Sequence, residues 1–138
     1  MSVQLAVKFV CLSFVLGNIQ GVEWHPEAQK IIDRVHGVCM KDSGFTEEER
    51  LQYTFDNEDR RFKCYMYCIL KEIDLVDNKD NVLPLESFME RVVEHHKNDF
   101  LPHAEICIPK VTGSDPCDIA YNFYKCMNKE NPEHCALI

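Results

Sequence analysis

The chain predicts an all-α fold, a compact single domain of about six helices, and three observations carry that prediction. Apolar residues recur at three- and four-residue spacing along most of the chain. No run alternates in polarity with comparable strength, as a half-buried strand would. The cysteines belong to the same helical stretches, and in "KCYMYCILK" Cys64 and Cys68 lie four positions apart, on one helix face.

The first segment stands apart from the domain. "MSVQLAVKFVCLSFVLG" carries one Lys, then the apolar run Phe9 to Leu16, then small residues, the pattern of a secretory signal peptide. An apolar run of about eight to ten residues is far too short to span a bilayer of ~30 Å. Cleavage is expected after Gly17 or after Gly21, which divides the chain into a leader, 1–21, and a domain, 22–138. The protein is accordingly expected to be secreted and extracellular.

Length and charge bound what the domain can do. A chain of 138 residues makes one domain of ordinary size, and no repeat or composition shift divides it. The 15 Lys and Arg, less Lys8 of the leader, leave 14 against 23 Asp and Glu, a net charge of −9. Such an acidic chain with no basic stripe is not a nucleic-acid binder. Loss of Cys11 with the leader leaves seven cysteines, Cys39, Cys64, Cys68, Cys107, Cys117, Cys126 and Cys135. In an oxidising compartment they read as disulfide partners with one left over.

The elements follow in order. In "HPEAQKIIDRVHGVCMKDSG", Pro26 suits a first helical position, Ile31, Ile32, Val35, Val38 and Cys39 share a stripe, and Gly44 ends the run. "FTEEERLQYTF" pairs Thr46 with Glu49, a capping box that places a short helix at about 46 to 55. A third helix spans roughly 59 to 73 and contains the cysteine pair. "DNKDNVLP" is a polar turn closed by Pro84, and "LESFMERVVEHH" a fourth helix with Leu85, Phe88, Met89, Val92 and Val93 on its apolar side. "PHAEICIPK" ends at Pro109 and is expected to form at most a turn or two. Asp115 as cap and Pro116 at the first turn start a last helix, which runs to about Lys129.

Helix geometry limits the cross-links. Residues i and i+4 hold their Cβ atoms about 5–6 Å apart, whereas a disulfide wants ~3.8 Å. Cys64 and Cys68 should therefore reach two different neighbouring helices. Cys117 and Cys126 are nine residues apart, which at about 100° per residue puts them on nearly opposite sides of the last helix. That helix too is pinned twice. Six cysteines still allow 15 connectivities, and spacing alone leaves the choice open.

The order Cys39, 24 residues, Cys64, 3, Cys68, 38, Cys107, 9, Cys117, 8, Cys126 is similar to the six-cysteine signature of insect odorant-binding proteins, the group that includes the pheromone-binding proteins. The likeness covers essentially the whole mature chain, and the spacings of 3 and 8 are its specific part. It implies a six-helix fold cross-linked by Cys39–Cys68, Cys64–Cys117 and Cys107–Cys126 around an apolar cavity. It also implies a carrier, not an enzyme, that moves a small hydrophobic, volatile molecule through aqueous fluid. The implied partners are that ligand and a chemosensory receptor, with no cofactor. Closed loops of about 30, 54 and 20 residues would each contribute roughly 3–4 kcal/mol in chain entropy. Cross-links of that strength allow a core to be hollow.

Candidate ligand contacts come from the apolar stripes: Leu51 and Phe55; Phe62, Met66, Ile69 and Leu70; Phe88, Met89 and Val92; Ala120, Phe123, Tyr124 and Met127. The methionines adapt to varied ligands, and the Tyr124 hydroxyl could orient an alcohol, aldehyde or ester. In the tail "NKENPEHCALI", Pro132 breaks the last helix and Leu137 and Ile138 are too apolar for an indifferent end. Some relatives fold such a tail back as a pocket wall, and where they usually carry an aromatic residue this chain has Cys135. The odd thiol is expected to stay free and packed behind the tail; the alternatives are a small-thiol cap or a bond joining two chains, so the protein is a monomer or a homodimer.

Other chemistry is thinly represented. His95 and His96 point about 100° apart and cannot jointly grip one ion, so they are expected at exposed helix ends, and no metal site is expected. His134 and His103 are the candidates for a pH-sensitive tail, with ligand release rising below about pH 6. There is no GxSxG, no HExxH, no phosphate-cradling glycine loop, and no His-Asp pair beside a helical cysteine of the kind a secreted phospholipase needs. The rival expectation is a non-olfactory secreted carrier of lipids or amines, or a protein-interaction module on the same scaffold.

Overall fold

The structure, a computed structural model, describes residues 24–56, 58–133 and 135; the expected leader, His134 and the last three residues lie outside them. Six α-helices follow one another among the described residues: α1 (Pro26–Ser43), α2 (Glu47–Gln52), α3 (Arg60–Glu72), α4 (Leu85–Arg91), α5 (Lys97–Cys107) and α6 (Pro116–Glu130). Single 3-10 turns precede and follow α5, at Glu94–His96 and Ile108–Lys110. None of these helices is long and apolar enough to cross a membrane.

Caps start and stop the helices where the side chains dictate. Pro26 opens α1, and the His25 ring accepts the Glu27 N–H at 3.3 Å. The helix ends at Gly44, whose φ of 76° is the left-handed conformation a side chain would strain. Thr46 and Glu49 complete the capping box of α2. That helix stops at Gln52, earlier than the expected 55, because Tyr53 turns extended at φ −80° and ψ 143°. Asp59 caps α3 by accepting the Arg61 N–H at 2.8 Å. Asp115 does the same for α6, from the Asp118 N–H at 3.0 Å.

Four expectations are corrected. The chain around Pro102 forms the eleven-residue α5, not a turn or two. A proline inside a helix removes one backbone bond, but here that loss is outweighed by full burial of Ala104 and Cys107 and by the cross-link Cys107 makes. The fourth helix ends at Arg91, and a 3-10 turn follows in which the His96 N–H bonds the Val93 carbonyl at 2.8 Å. That turn buries His96 to 4% exposure, so only His95 sits at an exposed helix end. Val38 also departs from its stripe and stays 42% exposed.

Helix α3 is the hub, packed against α1 on one side and α6 on the other. Phe62, Tyr65, Met66 and Ile69, the i, i+3, i+4 and i+7 positions of one face, are all essentially buried. The structure joins Cys39 to Cys68 (α1–α3), Cys64 to Cys117 (α3–α6) and Cys107 to Cys126 (α5–α6), with Cα separations of 5.6, 4.6 and 5.7 Å. These are the pairs that the resemblance implies, and Cys64 and Cys68 do reach different neighbours. At the N-terminal end of α3 an aromatic cluster fills the core: Tyr53 stacks on Phe62 at 5.4 Å, and Tyr121 meets Phe62 edge-on at 6.0 Å.

Candidate functional site: a helical cavity

At the other end of α3 the packing stops short of closing. A cavity of about 390 Å³ remains there, within the range of small-molecule sites. Helix α1 supplies Ala28, Ile31, Ile32 and Val35; α3 and the turn after it supply Ile69, Leu70, Ile73 and Leu75. Phe88 of α4, followed by Val92 and Val93, faces Phe100 of α5 and Phe123, Tyr124 and Met127 of α6. Each helix brings its inward stripe to the same space, so the wall is apolar for the same reason that a core is. The lining residues that remain exposed, Arg34, Asp74 and Arg91, mark where the cavity meets solvent. There Arg34 crosses from α1 to α3, bonding the Glu72 carboxylate at 3.3 Å and its carbonyl at 3.2 Å.

Both ends of the described chain close the cavity. Trp24 covers it by packing edge-on against His96 at 4.9 Å and stacking over Phe100 at 6.2 Å. The His96 ring holds that segment, because its Nε2 accepts the His25 N–H at 3.0 Å. An accepting Nε2 leaves the proton on Nδ1, which donates to Asp99 at 2.9 Å. At the other end, Asn131 donates to the Asp99 carbonyl at 2.8 Å and Asn128 to the Cys135 carbonyl at 3.0 Å. These two amides turn the tail back over α6 and set Cys135 in the cavity wall. Its thiol is free and buried, and burial pushes its pKa up to about 12. Tyr124 is likewise held neutral: burial raises its hydroxyl above the ordinary tyrosine value, with Cys135 beside it adding to the effect.

Of the candidate ligand contacts, the structure brings Ile69, Leu70, Phe88, Val92, Phe123, Tyr124 and Met127 to this one space. It places Phe62, Met66 and Ala120 in solid core instead, at 0%, 1% and 1% exposure. Phe55 belongs to the aromatic cluster, 5.9 Å from Phe62, and half-buried Met89 packs against the core from outside the cavity. Leu51 is on the outer side of α2, 42% exposed, because that short helix buries Arg50 instead. Leu137 and Ile138 lie outside the described residues. The sequence reasoning missed the whole α1 wall, although its stripe was visible, and missed Trp24, His96 and Phe100. Their signal is tertiary, since the sequence puts His96 on an exposed end of the fourth helix and gives 102–110 at most a turn or two. Among the described residues no cluster of His, Cys, Asp and Glu could hold a metal ion.

The fold that frames this cavity is one that other proteins share. The model of the PBP/GOBP family matches residues 21–130. Among solved structures, odorant-binding protein 4 of Chrysopa pallens aligns at 25% identity and TM-score 0.62, covering 80% of this chain and 96% of its own. Odorant-binding protein 1 of Locusta migratoria aligns at 25% identity and TM-score 0.60, over 75% and 81%. Odorant-binding protein 7 of Anopheles gambiae, solved with four disulfide bridges and an azo compound, aligns at 23% identity and TM-score 0.66, over 84% and 99%. That last likeness speaks for the fold.

Proposed function

The chain belongs to the PBP/GOBP family, and from that premise we propose that it is a secreted carrier which takes small hydrophobic, volatile molecules, odorants or pheromones, into its helical cavity. It moves them through aqueous extracellular fluid and delivers them to a chemosensory receptor. The observation that supports this most is the 390 Å³ cavity itself, walled by apolar side chains from five helices and reached past a charged rim. A space of that kind stays attractive to an apolar guest because the guest replaces water against carbon at about 25 cal/mol per Å².

Displacement of N-phenyl-1-naphthylamine from the oxidised protein tests the carrier. Saturable uptake of the probe is expected, reversed by a structural subset of volatile alcohols, esters, aldehydes, fatty acids and amines, and lost on reduction. No uptake removes the reading. Export is tested separately by expression in insect cells: the secreted protein should begin at residue 18 or 22, and retention with the first residues intact would contradict a cleaved leader.

A further inference from the structure

The cavity wall is apolar almost everywhere, and its polar groups are nearly all engaged. His96 spends one ring nitrogen on the His25 N–H and the other on Asp99. Arg34 is paired with Glu72 at the solvent end. Inside, two groups differ. Tyr124 is half-buried and lines the cavity, and its hydroxyl makes no hydrogen bond to any described residue. The Cys135 thiol, 5% exposed and unbonded to another cysteine, lines the same space and adjoins it. Cys135 is held at that point from two sides, its N–H donating to the Asn131 carbonyl at 3.0 Å and its own carbonyl accepting from Asn128.

We infer that Tyr124 and Cys135 form the polar end of the cavity and that they select a neutral carbonyl compound, a ketone or an ester, by donating to its one oxygen. The inference rests on the carrier reading and narrows it. A hydroxyl set in an apolar wall gains a hydrogen bond when a guest brings it an acceptor. A carbonyl oxygen has two lone pairs and can take both the strong O–H donor and the weak S–H donor. Both side chains stay protonated at physiological pH, since burial raises both. The arginines of the lining, Arg34 and Arg91, are exposed at the rim, so a carboxylate drawn in against the apolar wall would lose its water. A hydrocarbon of the same length fits the wall but leaves the hydroxyl unsatisfied.

Decane, 2-decanone and decanoate, each displacing N-phenyl-1-naphthylamine from wild-type, Tyr124→Phe and Cys135→Ala proteins, test it. Tyr124→Phe should weaken 2-decanone about tenfold and leave decane within about twofold, and Cys135→Ala should weaken 2-decanone by a smaller factor. Unchanged decane affinity also shows that each variant is folded with its cavity intact. Equal weakening of decane and 2-decanone by Tyr124→Phe would reduce the residue to a packing role and overturn the inference. Decanoate binding tightest, and losing most in Tyr124→Phe, would overturn it in favour of an anionic head group. If wild-type protein takes up neither the probe nor any of the three, the carrier reading falls, and this inference with it.

Discussion

Tyr121 shows what one hydroxyl does for this fold. Its ring is 2% exposed in the aromatic cluster, and its O–H donates to the Phe55 carbonyl, tying α6 to the irregular segment before α3. Tyr121→Phe keeps the ring and removes the bond, so the protein should lose about 1 kcal/mol of stability. Urea unfolding checks this: the midpoint should fall while the slope stays that of the wild type. A residue-level reading of the sequence gives Tyr121 no role, and it stands outside the last helix's stripe of Ala120, Phe123, Tyr124 and Met127. Its acceptor is a backbone carbonyl sixty-six positions away, and no local pattern announces a contact of that range.

At the scale of elements, the start of α6 is docked on α3 by charge. Asp118 receives the Lys63 ammonium at 3.1 Å and the Ser114 hydroxyl, and Asp115 receives the Arg60 guanidinium at 2.7 Å. The Ser114 bond and then Lys63 hold the Asp118 carboxyl below its ordinary value; for Asp115 the Arg60 bond comes first, and then the Asp118 N–H. A carboxylate whose pKa is lowered by folding stabilises the folded state above its unfolded value, near ~4. That contribution is lost as the pH falls through the lowered folded value. The melting temperature should therefore drop below about pH 4, and Asp118→Asn should make that acid limb shallower. Parallel limbs in the two proteins would remove the explanation. The elements themselves were mostly legible, because capping residues and apolar stripes are local: α1, α3 and α6 lie where Pro26, Asp59 and Asp115 put them. Helix α5 was not, because Pro102 argues against a helix locally and only the burial of Ala104 and Cys107 argues for it.

For the whole molecule, hollow and cross-links stand in balance. The 390 Å³ left unfilled forgoes packing contacts, and three disulfides, at roughly 3–4 kcal/mol each, offset that loss. Replacing both Cys107 and Cys126 by Ala should cost about 3 kcal/mol and weaken probe uptake, since α5 and α6 carry facing walls; intact uptake would separate the cross-link from the cavity. The site was less legible than the fold. Cysteine spacing constrains which helices meet, whereas a cavity is what several helices jointly fail to fill, and no single stripe records it. The placement of Cys64 and Cys68 has one more consequence, in time. A helix forms in about a microsecond, and disulfides form and reshuffle over seconds to hours. Once α3 has coiled, its two thiols are too far apart to join each other. Of the 15 ways to pair six cysteines, the 3 that contain that bond are disfavoured for as long as the helix persists. A helix thus acts as a proofreader for the cross-links that later hold it.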